Sequence, residues 1–296
     1  MPNVHRLTDY QQQRNEGTPL PTVAASGGSG DIRFVDMFFP GCTWQLHIVW
    51  LSMIQMVVYF LSLIPGQERA APTRHSLLLF GCSYGPNLQR GEVWRLFMPI
   101  FLHANLSHLL MNVFVQIAMG MQVEQKYGIG RFHLIYFGSG ILANLFSTAV
   151  HPCNTAVGAS TSGFGIIGAQ IAEVVLIWHL LSGMSRSRAI YQLIFFAVYL
   201  VFFMLFVTSQ GTNLDHFGHL GGALAGFFLL FLIYADQENK PSWYQTGRRV
   251  ALACLFVMAV GSTLALCFET DIEKVVDPKT GKFLGTRHCE YVPPPY

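Results

Sequence analysis

Two glycine-rich stretches contain residues that could act together as nucleophile and base. Ser160 lies in V-G-A-S-T-S-G-F-G-I-I-G-A, residues 157–169, and His219 lies in D-H-F-G-H-L-G-G, residues 215–222. A serine hydroxyl is a poor nucleophile unless a neighbouring imidazole takes its proton, so this pair would perform covalent hydrolytic chemistry. Because both residues open long apolar stretches, that chemistry would sit at the mouths of membrane helices.

A third segment offers donors for the oxyanion that serine attack would create. The stretch H-A-N-L-S-H-L-L-M-N, residues 103–112, predicts a helix start with Asn105 as its N-cap. His108 and Asn112 then lie four residues apart on one helix face and can point at the same anion. Polar side chains inside a membrane are costly unless they are paired or line a wet cavity, which favours a functional role. A purely structural hydrogen bond between helices is the alternative.

The composition is typical of a polytopic membrane protein. Of the 296 residues, 52% are hydrophobic and 11% are charged. The formal net charge of +2 is too mild for a nucleic-acid partner, and no basic tract interleaved with aromatic residues is present. The six cysteines form no C-x-x-C pair, and no histidine lies at zinc-finger spacing. We therefore expect no nucleic-acid partner, no metal and no cofactor.

The apolar segments predict an all-α bundle of seven transmembrane helices. A helix rising about 1.5 Å per residue needs roughly 20 apolar residues to cross the hydrocarbon core. The loop 67–93 is long and amphipathic, which predicts a structured or interfacial element. The predicted spans are residues 46–64, 94–123, 132–150, 160–181, 189–207, 216–234 and 250–267.

These spans divide the chain into a disordered cytosolic tail (1–43), a six-helix core (44–235), a loop with a seventh helix (236–268) and a non-cytosolic tail (269–296). The short loops 151–156 and 208–215 contain no lysine or arginine, which indicates that they lie outside the cytosol and that the amino terminus lies inside. Ser160 and His219 each follow one of these loops. We therefore expect both residues near the same, non-cytosolic face.

Small residues mark the faces along which these two helices would approach. The serine helix carries Ser162, Gly165 and Ala169 on one stripe and Gly168 and Ala172 on another, whereas the histidine helix carries His219, Gly222 and Gly226 on a single face. Glycine spacing alone would equally suit the packing of a transporter or channel. A transporter predicts an inverted repeat, and the sequence contains none that is recognisable.

Taken in order, five motifs resemble those of the rhomboid family of intramembrane serine proteases. They are G-E-V-W-R at 91–95; His103, His108 and Asn112 in H-x-x-x-x-H-x-x-x-N; Glu124 and Gly128 in E-x-x-x-G; G-A-S-T-S-G-F-G around Ser160; and G-H-L-G-G-A-L-A-G around His219, which includes Gly222 and Gly226. The resemblance covers roughly residues 92–226. Any one motif is weak, but five in order are specific.

The resemblance implies that Ser160 is the nucleophile and His219 the general base of a dyad without an aspartate. Asn112, His108 and the Ser160 backbone amide would form the oxyanion hole. One departure concerns the residue after the serine, which is usually glycine in the family and is Thr161 here. Ser162, which is followed by Gly163, is therefore the alternative nucleophile, whereas His216 does not directly precede L-G-G and is not expected to be the base.

The remaining motif residues are expected to have structural roles. Trp94 and Arg95 would support folding of the first loop, although both also suit a simple interfacial anchor. Glu124 is expected to hydrogen-bond a helix end on the cytosolic side, away from the reaction. Cys82, Cys153, Cys267 and Cys289 lie at or near the predicted outer face, where a disulfide is possible but no spacing selects a pair.

The implied function is that of a serine endopeptidase cleaving transmembrane segments of single-pass membrane proteins near the outer face. A catalytically inactive relative that binds membrane clients is the alternative, and it would be expected to lack the serine or the histidine. A membrane metalloprotease would need H-E-x-x-H, which is absent. An aspartyl protease would need two buried acids, but Asp215 is the only aspartate within or beside the last three predicted spans before Asp236. Six helices plus a carboxyl-terminal seventh resemble the secretory-pathway type, so we expect a multi-pass protein of that pathway or the plasma membrane, in contact with membrane lipid.

Overall fold

The computed structural model describes residues 39, 41–209, 215–268, 272–276 and 283–289. From Cys42 onward the chain forms one compact unit. Most of the predicted tail 1–43 lies outside the described residues, and so does much of the predicted tail 269–296. The proposed domain division stays a prediction.

Helices make up most of the described chain, and two small hairpins accompany them. In chain order the elements are α1 (His47–Ser62), β1 (Gln67–Glu68), β2 (Ala71–Pro72), α2 (Arg74–Leu79), α3 (Gly85–Gln89), α4 (Leu106–Tyr127), α5 (Ile129–Val150), α6 (Ser160–Ile177), α7 (Gly183–Ser209), α8 (His216–Ile233), α9 (Tyr244–Phe268), β3 (Ile272–Val276) and β4 (Phe283–His288). Short 3-10 helices occupy Val93–Leu96, Met98–Phe101, Trp178–Leu180 and Tyr234–Asp236.

Five helices among the described residues are long and apolar enough to cross a membrane: α4, α5, α6, α8 and α9. Helix α1 is apolar but has only 16 residues, and α7 has 27 residues. The predicted class, a polytopic helical bundle in the membrane, is confirmed. The number of seven spans stays a prediction.

Side-chain caps define where two of the site-bearing helices begin. Asn105 Oδ1 accepts a hydrogen bond from the His108 amide at 2.8 Å, which confirms the predicted N-cap of α4. Asp215 Oδ1 accepts one from the Gly218 amide at 2.8 Å and caps α8 in the same way. Each cap satisfies a backbone donor that would otherwise lack a partner at the helix start.

The predicted start of the second span, at Trp94, is wrong. Two 3-10 helices, Val93–Leu96 and Met98–Phe101, precede α4, which begins at Leu106. Together with α2 and α3 they make the first loop a folded element, as its amphipathic sequence predicted.

Other helices satisfy the irregular backbone of this segment. Asn144 Nδ2 of α5 donates to the Leu96 carbonyl at 2.8 Å, and Gln55 Nε2 of α1 donates to the Ile100 carbonyl at 3.1 Å. Non-helical backbone is tolerated at membrane depth where protein groups replace the missing hydrogen bonds. Because its backbone groups are satisfied in this way, the stretch can be apolar without being part of a spanning helix.

Helix α8 lies along both α6 and α5 and forms the centre of the bundle. Helix α9 packs against α5 and α8 at the edge of the bundle. Beyond α9, β3 and β4 pair as an antiparallel hairpin. A disulfide joins Cys153, in the loop before α6, to Cys289, directly after β4. The predicted tail therefore contains ordered structure attached to the serine-bearing loop.

Candidate active site

The structure brings Ser160 and His219 together. Ser160 is the first residue of α6, and His219 lies in the first turns of α8. The Ser160 Oγ and His219 Nε2 atoms are 2.8 Å apart, which is a hydrogen-bond distance. Both residues are buried, at 6% and 4% exposure. A hydroxyl and an imidazole that are 59 residues apart in sequence are therefore direct neighbours in a protected site.

Glycines allow α6 and α8 to approach this closely. A methyl group added at Gly222 would collide with the Thr161 carbonyl oxygen, and one added at Gly226 would collide with that of Gly165. From the other side, a methyl group at Gly168 would collide with the Ala223 carbonyl. The face carrying His219, Gly222 and Gly226 thus packs directly on the serine helix, as its spacing indicated.

Phe164 contacts the imidazole, and Asp215 caps the helix that carries it. The Phe164 ring stacks on the His219 ring with centroids 4.3 Å apart and planes 3° from parallel. Asp215 caps the helix that carries His219, and the Ser147 hydroxyl of α5 donates to its Oδ1 at 2.5 Å. Neither residue was predicted from the sequence to belong to the site. An aromatic four residues after the serine and an acid four before the histidine were the available signals.

Ser162, the alternative nucleophile, and His216, the other histidine of α8, do not take part in the contact between Ser160 and His219. Ser162 is fully buried, and its Oγ faces Gly140 of α5, where an added methyl group would collide with it. His216 is exposed at the start of α8. Of the two serines, Ser160 is therefore the one beside His219.

His108 and Asn112 lie close to Ser160. A methyl group built on Gly158 would be 3.1 Å from His108 Nε2 and 3.3 Å from Ser160 Oγ, so both groups border the same small space. Gly158 has a φ of +133°, which favours glycine. Gly158 was not among the site residues predicted from the sequence.

Asn112 lines a cavity beside Ser160 that measures about 10 Å³, enough for a group the size of one water molecule. Its Nδ2 donates to the His108 carbonyl at 2.8 Å, and a carboxamide nitrogen carries a second N–H. The position suits a donor to an oxygen bound in the cavity.

His103 lies behind this pair. Its ring meets the His108 ring edge-on with centroids 5.4 Å apart, and its Nε2 accepts a long hydrogen bond, 3.4 Å, from the Ala159 amide. In the neutral form of an imidazole, one ring nitrogen can accept such a bond. His103 thereby supports the turn that ends at Ser160.

Arg95 organises the first loop. It is 3% exposed, forms an ion pair with Glu92 at 2.7 Å, and donates to the carbonyls of Leu78 at 2.9 Å and Cys82 at 3.1 Å. Trp94 is half-exposed next to it. These contacts favour the structural role over a simple anchor.

Glu124 lies in the last turns of α4, at the end opposite Asn112. Its carboxylate oxygens accept hydrogen bonds from the His47 amide at 2.7 Å and the Ile48 amide at 3.0 Å. These are first-turn donors of α1, so the carboxylate caps that helix and complements its positive end. This is the helix-end hydrogen bonding that the sequence favoured, remote from Ser160.

The assembled groups suit addition of a hydroxyl to a carbonyl. Ser160 supplies a nucleophile beside a proton acceptor, and its position at the start of α6 leaves backbone N–H groups without intrahelical acceptors. The His108 ring lies beside Gly158, in the turn that leads to Ser160, and Asn112 lines the small cavity next to Ser160. No group of three metal-binding side chains occurs within the part of the chain that the structure describes.

Comparison with known proteins places this chain in a family. Residues 90–236 match the family model for the Rhomboid domain. Rhomboid-like protease 2 of Toxoplasma gondii is 37% identical over 287 residues, which cover 88% of this chain and 99% of that protein. Rhomboid-like protease 1 of the same organism is 34% identical over 285 residues, covering 90% and 94%. The chain therefore belongs to the rhomboid family of intramembrane proteases.

Proposed function

We propose that the chain is an intramembrane serine endopeptidase in which Ser160 and His219 form the catalytic dyad. The observation that carries this proposal is the 2.8 Å contact between Ser160 Oγ and His219 Nε2 in a buried site. A buried imidazole at this distance can take the hydroxyl proton as the oxygen attacks a peptide carbonyl. It can then return the proton to the departing amine.

The tetrahedral intermediate carries a negative charge that needs fixed donors. The Ser160 amide and the second N–H of Asn112 Nδ2 lie at the cavity next to Oγ and would supply them, together with the His108 ring beside Gly158. Preorganised donors of this kind are worth about 3–4 kcal/mol each in transition-state stabilisation. Loss of Asn112 should therefore lower the cleavage rate more than it lowers substrate binding.

The substrates we propose are single-pass transmembrane proteins. The dyad lies at the ends of helices that cross the membrane, so a substrate would reach it from the bilayer. A helix hides its carbonyls in internal hydrogen bonds, and the scissile segment must unwind first. We expect preference for small or helix-breaking residues near the cleavage site. Replacement of substrate glycines by leucine should slow cleavage, and an unchanged rate would contradict this preference.

The location we propose is the secretory pathway or plasma membrane, with the amino terminus in the cytosol and the dyad towards the non-cytosolic face. The Cys153–Cys289 disulfide supports this orientation, since disulfides persist in the oxidising compartments outside the cytosol. Cys153 belongs to the loop before Ser160, the same loop whose lack of lysine and arginine indicates the outer side.

The test is a cleavage assay with purified protein and a transmembrane substrate. Ser160→Ala and His219→Ala should each abolish cleavage, whereas Ser162→Ala should retain it because the Ser162 hydroxyl faces α5. Ser162→Ala is the matched control, being a serine of the same helix turn. Activity in Ser160→Ala would exclude this dyad, and inactivity of the wild type towards all membrane substrates would favour the client-binding alternative.

A further inference from the structure

A second cavity, of about 260 Å³, lies between α4, α6 and α7 at the helix ends opposite Ser160. It reaches Ile177, the last residue of α6, whereas Ser160 is the first. Polar side chains line much of it. The charged and carboxamide side chains among them are Gln122 and Lys126 of α4, Gln170 and Glu173 of α6, and Arg188 and Gln192 of α7.

The charges around this cavity do not cancel. Lys126 forms an ion pair with Glu173, which leaves Arg188 as an additional cation. Across the described residues, no carboxylate pairs with Arg188, and its side chain makes only a weak contact to Met184 Sδ at 3.4 Å. The cavity therefore has a net positive charge and a guanidinium group available for an anion.

The wall of the cavity also contains an unsatisfied polar atom. Gln170 is 4% exposed, and in the described chain its Oε1 has no hydrogen-bond partner. Its Nε2 makes a single long bond, 3.4 Å, to the Met119 carbonyl. A buried amide left in this state costs free energy, which a ligand hydroxyl could recover.

A tryptophan indicates the depth of this cavity in the membrane. Trp178 directly follows α6 and is 38% exposed, with the Arg186 guanidinium 5.0 Å above its ring. Tryptophan and arginine at a helix end are typical of the headgroup level. The cavity thus opens where lipid phosphates lie, rather than in the hydrocarbon.

We propose that this cavity binds the headgroup of an anionic phospholipid. Arg188 and Lys126 bind its phosphate, and the Gln170 carboxamide accepts from a headgroup hydroxyl. Positive cavities between transmembrane helices near a membrane surface attract anionic headgroups. Glu173 limits the attraction because it neutralises Lys126. The bound lipid joins α7 to α4 and α6, and the proposal is independent of the chemistry at Ser160.

The test uses the full-length protein in a neutral detergent and a phosphatidylglycerol with a fluorescent acyl chain, with binding measured by anisotropy. Wild type should bind it saturably and bind the phosphatidylcholine analogue weakly. Arg188→Gln should weaken phosphatidylglycerol binding about fivefold, the factor expected for one basic residue near a headgroup. Glu173→Gln frees Lys126 and should strengthen binding, a gain that misfolding cannot produce.

Arg186→Gln is the matched control. It removes the same charge two residues away, from a side chain that stacks on Trp178 outside the cavity, and it should leave binding unchanged. Equal weakening by Arg186→Gln and Arg188→Gln would mean general surface attraction and would overturn the site. Competition by soluble glycerol 3-phosphate at matching concentration would make a free phosphate the occupant and overturn the lipid assignment, as would the absence of saturable binding to wild type.

Discussion

Two side chains contact the His219 imidazole, one at a ring nitrogen and the other on a ring face. Its Nε2 lies 2.8 Å from Ser160 Oγ, and Phe164 covers one ring face with planes 3° from parallel. Serine and phenylalanine both belong to α6, one helical turn apart, so a single helix fixes the distance and the orientation of the imidazole. The proposed dyad has fewer groups to orient its imidazole than a triad, and this stack would supply part of that function.

Replacing Phe164 with alanine is predicted to lower the cleavage rate by up to about tenfold, because an aromatic pair contributes about 0.5–1.5 kcal/mol beyond its buried area. Phe164 is a positioning residue, so kcat should fall while KM changes little. Phe164→Tyr keeps the ring and should retain most of the activity. Initial rates on a transmembrane substrate provide the measurement, and equal rates for Phe164→Ala and wild type would contradict the role of the stack.

For single residues, the sequence predicted which side chains belong to the candidate site better than it predicted the contacts that those side chains make. The motifs selected Ser160 and His219, which are in hydrogen-bond contact, and His108 and Asn112, which each lie near Ser160. The stacking of Phe164 was not predicted because it depends on how α6 and α8 rotate against each other, which is set by contacts outside both motifs. The choice between Ser160 and Ser162 likewise rested on resemblance until the side-chain directions were known.

Among the elements, α6 and α8 pack so closely that the backbone of one helix contacts the backbone of the other. Gly226→Ala is predicted to force the helices apart, because the added methyl group would collide with the Gly165 carbonyl. Both cleavage and melting temperature should fall. Gly261→Ala in α9 is the control, since nothing lies within 4 Å of its added methyl group. An unchanged melting temperature in Gly226→Ala would show that this contact can relax at no cost.

The cap that Glu124 provides to α1 makes a second element-scale prediction. Glu124→Ala removes acceptors from the His47 and Ile48 amides and should lower the free energy of unfolding by about 1.5–3 kcal/mol, typical of hydrogen bonds to a charged group. Glu124→Gln keeps one acceptor and should lose less. Denaturant titration in detergent measures both, and activity per folded molecule should be retained. A selective loss of catalysis at full stability would assign Glu124 a different role.

Helix starts with capping residues were predictable, whereas the segment around Trp94 was not. Hydropathy reports that a stretch avoids water, but a segment of buried 3-10 helices and a spanning helix avoid it equally. What decides between them here is the supply of hydrogen bonds from Asn144 and Gln55, on helices remote in sequence. The second span was wrongly predicted to start at Trp94 because these hydrogen-bond partners are far away in the sequence.

For the whole molecule, the Cys153–Cys289 disulfide connects the carboxyl-terminal segment to the loop that leads to Ser160. Cys289 and Val157 also both pack on a buried cluster formed mainly by the first loop. Three segments near the dyad are thereby attached to one another. Six cysteines permit many pairings and no spacing selected this one, so the connection was not predictable from sequence.

Loss of this disulfide is predicted to destabilise the protein by about 2–4 kcal/mol, because the bond closes a loop between residues 136 positions apart. Cys153→Ser and Cys289→Ser should lower the melting temperature equally, and the double variant should match either single one. Cys267→Ser, at an exposed free cysteine, is the control. Peptide mapping without reduction should recover the linked pair, and two free thiols in protein from the native membrane would contradict both the bond and the proposed orientation.

The central claim, that a serine and a histidine on neighbouring membrane helices form a hydrolytic dyad, is tested most directly by locating the serine that reacts. Wild-type protein in detergent is treated with a fluorophosphonate, and the modified residue is identified by mass spectrometry. The account predicts modification of Ser160, full labelling in Ser162→Ala and none in His219→Ala. Modification of Ser162, or labelling that persists in His219→Ala, would contradict it.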